Sequence, residues 1–271
     1  MFLAHTNDNK GGYTPVTQLK NNWVVVNTDD PFLVSNVCPH QNSLISTDEG
    51  NGNRICPYHN WTFSLDGQPL TSGRTSHYCK NEKALEKKPV YSLNNMLFSL
   101  PVDCPEISFL DLSHMNLIEH RVDKVAASSN KVMDIFLDVD HIQTIHAGVY
   151  DRVGMSVIDN STVDWYYYDW GSLQLVRKQD QIGAVWLAVY PGTMIEWQEG
   201  ALFVTIAIDT GVGCDVFVFK YKDSRYGFNI WRTNDEMWEM AWKQDREQAE
   251  RIVELPQSNL EESKKHFRER I

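Results

Sequence analysis

From Tyr13 to about Pro101 the apolar positions come in short runs, "WVVVN", "FLVSNV", "KPVYSL" and "MLFSL", punctuated by Gly, Asn, Asp and Pro. Runs this short between turn formers predict the strands of a small all-β module. The pattern then changes. Ser128 to about His146 contains no Gly or Pro and predicts a helix, with "SSN" as its capping region. Between Met155 and Tyr221, apolar runs such as "VDWYYYDW", "IGAVWLAVY", "TMIEW", "ALFVTIAI" and "DVFVFKY" predict a larger, mostly antiparallel sheet. A last helix is predicted from "TNDE", where Thr233 and Glu236 have capping-box spacing, to about Leu255 before Pro256.

These elements describe an α+β chain of two domains, residues 1–104 and 105–271, with an all-β module followed by a sheet with flanking helices. No internal repeat is visible. The net charge of -11 excludes a non-specific grip on nucleic acid or on an anionic membrane, because both need clustered Lys and Arg. The start "MFLAHTNDNKGG" lacks the pattern of a signal peptide, and no apolar run approaches the roughly 20 residues that span a bilayer, so a cytoplasmic location is expected. Five cysteines, an odd number, favour thiols or metal ligands over a disulfide framework.

Two segments carry the first candidate chemistry. "VCPHQ" and "CPYHNWTF" arrange Cys38-x-His40, then fifteen residues, then Cys56-x-x-His59. Thiolate and imidazole are soft ligand types, and four of them in paired loops can close around a metal centre. Structural zinc sites usually pair like with like. One cysteine and one histidine per loop suits a two-iron cluster with two thiolates on one iron and two imidazoles on the other. The prolines stiffen the backbone next to each cysteine, and Trp61 is expected to pack against the loop.

A second group lies further on. On the first predicted helix, Asp134, Asp138 and His141 fall at offsets that place them on one face. His146 is five positions past His141, about 140° round an ideal helix. The two histidines meet at one metal only if the helix ends or widens between them, and Ala147-Gly148 follows directly. On the last helix, Asp245 sits in the centre of an apolar stripe of Trp238, Ala241, Trp242, Ala249 and Ile252. A carboxylate there needs a basic partner, a hydrogen-bond network or a bound cation. Two histidines and a carboxylate with open positions form the facial triad of non-haem iron(II) oxygenases.

"VCPH…CPYHNWTFSLDG" resembles the Rieske [2Fe–2S] signature. With D-x-x-x-D-x-x-H-x-x-x-x-H, a sheet and a late helical Asp, nearly the whole chain is similar to the catalytic subunit of the Rieske non-haem iron oxygenases. The resemblance implies an N-terminal Rieske domain in which Cys38 and Cys56 hold one iron and His40 and His59 the other. It implies that His141, His146 and Asp245 hold a mononuclear iron(II). By the same resemblance Asp138 links His141 to His59 of the partner subunit across a head-to-tail homotrimer. Three departures stand out: Asn60 replaces a glycine, "QNSL" replaces an Arg-Gly-rich stretch, and Gln244 and Gln248 alter the segment around Asp245.

The implied activity is hydroxylation or oxidative demethylation of a small organic substrate with O2. No Gly-rich dinucleotide fingerprint is present, so electrons from NAD(P)H would arrive through a separate reductase or a ferredoxin. Aromatics from Trp165 to Trp170 are candidates for a pocket lining or a cation cage, with sheet packing as their ordinary role. Competing readings are an electron carrier, a homologue without a working mononuclear iron, and a zinc-stabilised interaction domain. Cys79, Cys104 and Cys214 are expected to be structural thiols, and His5, His77, His114, His120 and His266 surface or packing residues.

Overall fold

The computed structural model describes residues 1–71, 83–159 and 161–252. The short apolar runs fold as strands, because each is too brief for a helix and turn formers flank it. They are β1 (Phe2–His5), β2 (Tyr13–Pro15), β3 (Trp23–Val26), β4 (Phe32–Ser35), β5 (Arg54–Ile55), β6 (Thr62–Phe63), β7 (Pro69–Thr71), β8 (Lys87–Pro89), β9 (Tyr91–Leu93) and β10 (Met96–Phe98). Three small sheets result, ordered β1-β10-β9, β2-β3-β4-β8 and β5-β6-β7. Val24, Val26, Val34, Phe63, Trp61 and both motif cysteines share one buried cluster.

Two compact units divide the chain, Phe2–Ser113 and the part from His114 onward. The division falls nine residues beyond the expected 104/105 boundary. The reason is packing: Ile107 and Leu112 are buried, Asn94 Nδ2 donates to the Ile107 carbonyl, and His5 Nε2 meets the Leu112 carbonyl at 3.0 Å. His5 is therefore a packing residue, and buried Cys104 a structural thiol of the same unit.

The second unit is one seven-stranded antiparallel sheet with helices. Its strands are β11 (Met115–Val125), β12 (Val163–Tyr168), β13 (Gly171–Lys178), β14 (Gln181–Val189), β15 (Thr193–Gln198), β16 (Ala201–Asp209) and β17 (Cys214–Asp223). The order is β11-β17-β16-β15-β14-β13-β12. Five strands follow the predicted runs; β13 is an addition, and so is β11. It is an edge strand with mostly exposed residues, so it lacks the apolar run that reveals its neighbours.

Two expectations about helices are corrected. The single helix over 128–146 is two pieces, α1 (Ser129–Phe136) and a four-residue α2 (Ile142–Ile145). Asp138 lies at the break, where its carboxylate accepts the His141 amide at 3.2 Å, the bond by which an Asp ends one run of backbone bonds and starts another. Nor does Ser128 cap α1 with its side chain; Asp209 takes the Ser129 amide at 2.7 Å and its hydroxyl at 2.9 Å. The last helix, α3 (Phe228–Arg251), starts five residues before Thr233. Thr233 bonds back to Asn229 O and Glu236 pairs with Arg232, so the capping box does not form.

Helix α3 covers the sheet with Trp231, Asn234, Met237, Trp238, Ala241, Trp242, Asp245 and Ala249. Each large apolar side chain there gains roughly 1.5–3 kcal/mol from burial. Its angle on the sheet is fixed by charge: buried Lys220 reaches Asp235 at 2.6 Å and also Glu239, while Arg121 pairs with Glu119, Asp123 and Glu239. Such a network sets orientation more than net stability, because desolvation offsets most of the attraction. No helix among the described residues is long and apolar enough to cross a membrane.

Candidate metal centres

In the first unit the two Cys/His segments form the same turn twice. The Cys38 amide donates to Ser43 O at 2.8 Å and the Asn42 amide to Cys38 O at 2.9 Å; the Cys56 amide donates to Trp61 O at 2.8 Å and the Asn60 amide to Cys56 O at 2.9 Å. Both asparagines have positive φ, 55° at Asn42 and 60° at Asn60. Asn is among the few non-glycine residues that tolerate this region, so Asn60 preserves the turn a glycine would make. The departure at Asn60 leaves the backbone intact.

The turns bring their donors together. The His40 and His59 rings lie 4.6 Å apart, and His40 stacks on buried Trp61 at 5.1 Å. Trp61 packs as expected. Burial pushes the Cys38 thiol up to about 11, the adjacent Cys56 sulfur adds to this, and the His40 and Gln41 amides aimed at the sulfur oppose it. His59 Nδ1 is buried and has no hydrogen-bond partner among the described residues. A buried ring nitrogen without a partner is costly, and a metal bond would satisfy it. Two paired thiols, two paired imidazoles and an orphaned imidazole nitrogen fit a [2Fe–2S] group.

In the second unit three side chains converge. His141 Nε2 lies 3.0 Å from His146 Nε2 and 3.2 Å from Asp245 Oδ1, and His146 Nε2 lies 2.8 Å from that oxygen. Their ligand atoms fall within 4.8 Å of one another. The broken helix makes this possible, since His141 and His146 flank the single turn α2. Asp134 stays on α1, so the expected shared face of Asp134, Asp138 and His141 does not form.

Supporting bonds set the outward nitrogens. Gln244 Oε1 accepts from His146 Nδ1 at 2.8 Å, and the Asp138 carbonyl accepts from His141 Nδ1. Both bonds leave Nε2 facing Asp245, the arrangement in which an acceptor on the far ring nitrogen orients a metal-binding histidine. Gln244 is thus a working substitute for an acid. Burial would raise the Asp245 carboxyl, but hydrogen bonds from His141 and His146 hold it below its usual value. Burial would lower His146, and Asp245 and Gln244 raise it instead. This donor set suits a divalent metal with open positions.

A cavity opens beside the three, walled by Tyr150, Trp186, Met194, Glu196, Trp238 and Trp242. The register explains the walls. Trp186, Glu196 and Phe203 are directly opposed on β14, β15 and β16, so their side chains share one face of the sheet. Glu196 Oε1 accepts from Trp238 Nε1 at 3.0 Å. Burial pushes its carboxyl up to about 7, with the Trp238 bond opposing and Asp245 reinforcing. None of Trp165, Tyr166, Tyr167, Tyr168 or Trp170 is among the lining residues. Trp165 stacks on Tyr167 and Tyr168 on Trp170, which is sheet packing.

Glu196 and Tyr150 were missed from sequence. The signal for Glu196 was its place in "TMIEW", a lone acid within an apolar strand at the position that alternates with Met194. Nothing local marks Tyr150. Cys214 is buried, its thiol pushed up to about 12 by burial and by Asp209 and Asp215, and His120 stacks on Phe219. Cys79, His77 and His266 lie outside the described residues.

The family model of the Rieske [2Fe-2S] domain matches residues 1–81. Putrescine 2-hydroxylase of Ralstonia nicotianae is 24% identical over 231 residues, 74% of this chain and 62% of that protein. The carnitine monooxygenase oxygenase subunit of Acinetobacter pittii is 22% identical over 266 residues, 87% of this chain and 68% of its own length. The chain thus spans 62% of the first relative and 68% of the second. Among solved structures, the quaternary ammonium Rieske monooxygenase CntA with L-carnitine matches at a TM-score of 0.71 and 15% identity, covering 100% of this chain and 86% of that one. At that identity the likeness is one of fold.

Proposed function

We propose that this chain, which carries a Rieske [2Fe-2S] domain over residues 1–81 and is similar to Rieske oxygenase subunits, is an oxygenase component acting on a small organic substrate. The observation that carries the reading is the convergence of His141, His146 and Asp245 beside an aromatic cavity. In this reading Cys38, His40, Cys56 and His59 hold the cluster, and the three converging residues hold a mononuclear iron(II). When bound, the cluster supplies single electrons and the iron supplies open positions for O2 chemistry.

The chain's own residues prepare the site. Gln244 and the Asp138 carbonyl fix the histidine tautomers, and Tyr150, Trp186, Trp238 and Trp242 keep bulk water from the reacting centre. Asp138 joins His141 to His59 of the partner subunit in a homotrimer, and electrons come from NAD(P)H through a separate reductase or ferredoxin. The named relatives hydroxylate putrescine or oxygenate carnitine. These reactions favour insertion of one oxygen atom into a small nitrogen-bearing substrate over ring dihydroxylation.

The test is a count of iron and acid-labile sulfide on protein purified without air, repeated on a His141→Ala/His146→Ala double variant. Three irons and two sulfides falling to two and two are expected, together with loss of substrate-dependent O2 uptake. Two irons and two sulfides in both proteins would make the chain an electron carrier.

A further inference from the structure

The cavity beside His141, His146 and Asp245 contains an acid that the metal site does not use. Glu196 lines it from β15, half-buried, with Trp238 Nε1 as the hydrogen-bond partner of Oε1. A carboxylate offers about four lone-pair sites, so the Trp238 bond leaves accepting capacity for a donor in the cavity it lines. Asp245 repels it and His146 attracts it. The neighbouring strands β14 and β16 carry no Lys or Arg, and further along the sheet Lys220 is paired with Asp235 and Glu239 and Arg121 with Glu119, Asp123 and Glu239. Among the described residues no Lys or Arg forms an ion pair with Glu196 and only the His146 ring attracts it, so a full counter-charge is left to an occupant of the cavity.

The walls narrow the choice of occupant. Trp186 and Trp238 flank Glu196, and Tyr150 packs on Trp186 with ring centroids 6.3 Å apart. Aromatic faces beside a carboxylate recognise a cation attached to an apolar body. The open acceptor sites discriminate further. A primary or secondary ammonium brings N–H donors that fill them, whereas a quaternary ammonium brings charge alone and leaves them unsatisfied.

We propose that Glu196 is the recognition group for the substrate of this site, and that the substrate is a small aliphatic amine bound as its N–H-bearing ammonium ion. The ammonium donates to the Glu196 carboxylate, and the carbon chain lies against Trp186 and Tyr150 on the side of His141, His146 and Asp245. The proposal rests on the oxygenase reading and adds the class of substrate and the residue that selects it.

The test uses the full-length, metal-loaded protein without O2, titrated calorimetrically with butylamine, 1,4-diaminobutane, butyltrimethylammonium and butanol. The two N–H amines are expected to bind at least tenfold more tightly than the trimethylated analogue, with no binding of butanol. Glu196→Gln should weaken amine binding roughly 10- to 100-fold and erase the preference for N–H donors, and Glu196→Asp should restore part of both. Equal affinity for butylamine and butyltrimethylammonium, unchanged amine binding in Glu196→Gln, or no binding of either amine would each overturn the proposal. Because the wild-type ligand series needs no variant, a misfolded Glu196→Gln leaves the test decisive. Iron counting keeps the two readings apart: amine binding that depends on Glu196 in a protein without the third iron would sink the oxygenase reading alone. A third iron with O2 uptake driven only by ligands that ignore Glu196 would sink this proposal alone.

Discussion

The two candidate metal centres are built on opposite plans. In the first unit one turn is used twice, with the same pair of backbone bonds and the same left-handed asparagine four residues after each cysteine. In the second, two histidines on either side of a single helical turn meet an aspartate about a hundred residues later in sequence, on α3. A local turn carries its own instructions, so it tolerates change elsewhere. A centre assembled from α2, α3 and the sheet depends on every contact that sets the tilt of α3, the Lys220 network included.

This contrast can be broken by experiment. Its largest expected effect is a double dissociation. His59→Ala should abolish the visible absorption of the cluster and leave the iron at His141 and His146 in place, while His141→Ala should do the reverse; elemental analysis and absorption spectra read both. Loss of both metals from either variant would mean that the two centres are not separable.

Gln244→Ala comes next. Without the acceptor for His146 Nδ1, affinity for iron(II) at the three-residue site should fall roughly 10- to 100-fold, with the cluster unchanged. Gln244→Glu should retain binding. An equal loss in both variants would assign Gln244 to packing.

The third prediction concerns Glu196 in metal-free protein. Its folded carboxyl titrates at about 7 against a usual 4.5, so the folded chain binds this proton more tightly than the unfolded chain does. Stability from this group is therefore full below about pH 4.5 and declines as pH rises towards 7, by on the order of 2–3 kcal/mol. Glu196→Gln should flatten that part of the pH–stability curve in chemical denaturation. Identical curves would show that the carboxylate is better solvated than its surroundings suggest.

The smallest effect tests the repeated turn. At Asn42 and Asn60, alanine should cost about 1 kcal/mol each and glycine close to nothing, because only alanine resists positive φ. Thermal release of the cluster measures this. A cost shared by alanine and glycine would mean that the asparagine side chains, not the backbone, hold the turns.

How much could be read in advance follows the same division. Cys38, His40, Cys56 and His59 lie within 22 residues, and their spacing alone pointed to a mixed-ligand cluster. The asparagines went unread as turn residues because positive φ belongs to a backbone, not to a pattern. Asp245 was legible as the acid in the middle of an apolar helical stripe. The partnership of His141 and His146 was legible only as a condition, that the helix should end between them. Asp138 meets that condition by taking the His141 amide.

By itself, then, the sequence determined the all-β first unit, five of the six strands from Val163 to Asp223 and the candidate metal donors, because periodicity and ligand chemistry are properties of short segments. Tertiary structure alone decided the edge strand β11, the capping of Ser129 by Asp209, and the meeting of Trp186, Trp238 and Glu196 around one cavity. Each of these rests on hydrogen bonds or contacts between residues tens of positions apart, and a local pattern holds no record of a distant partner.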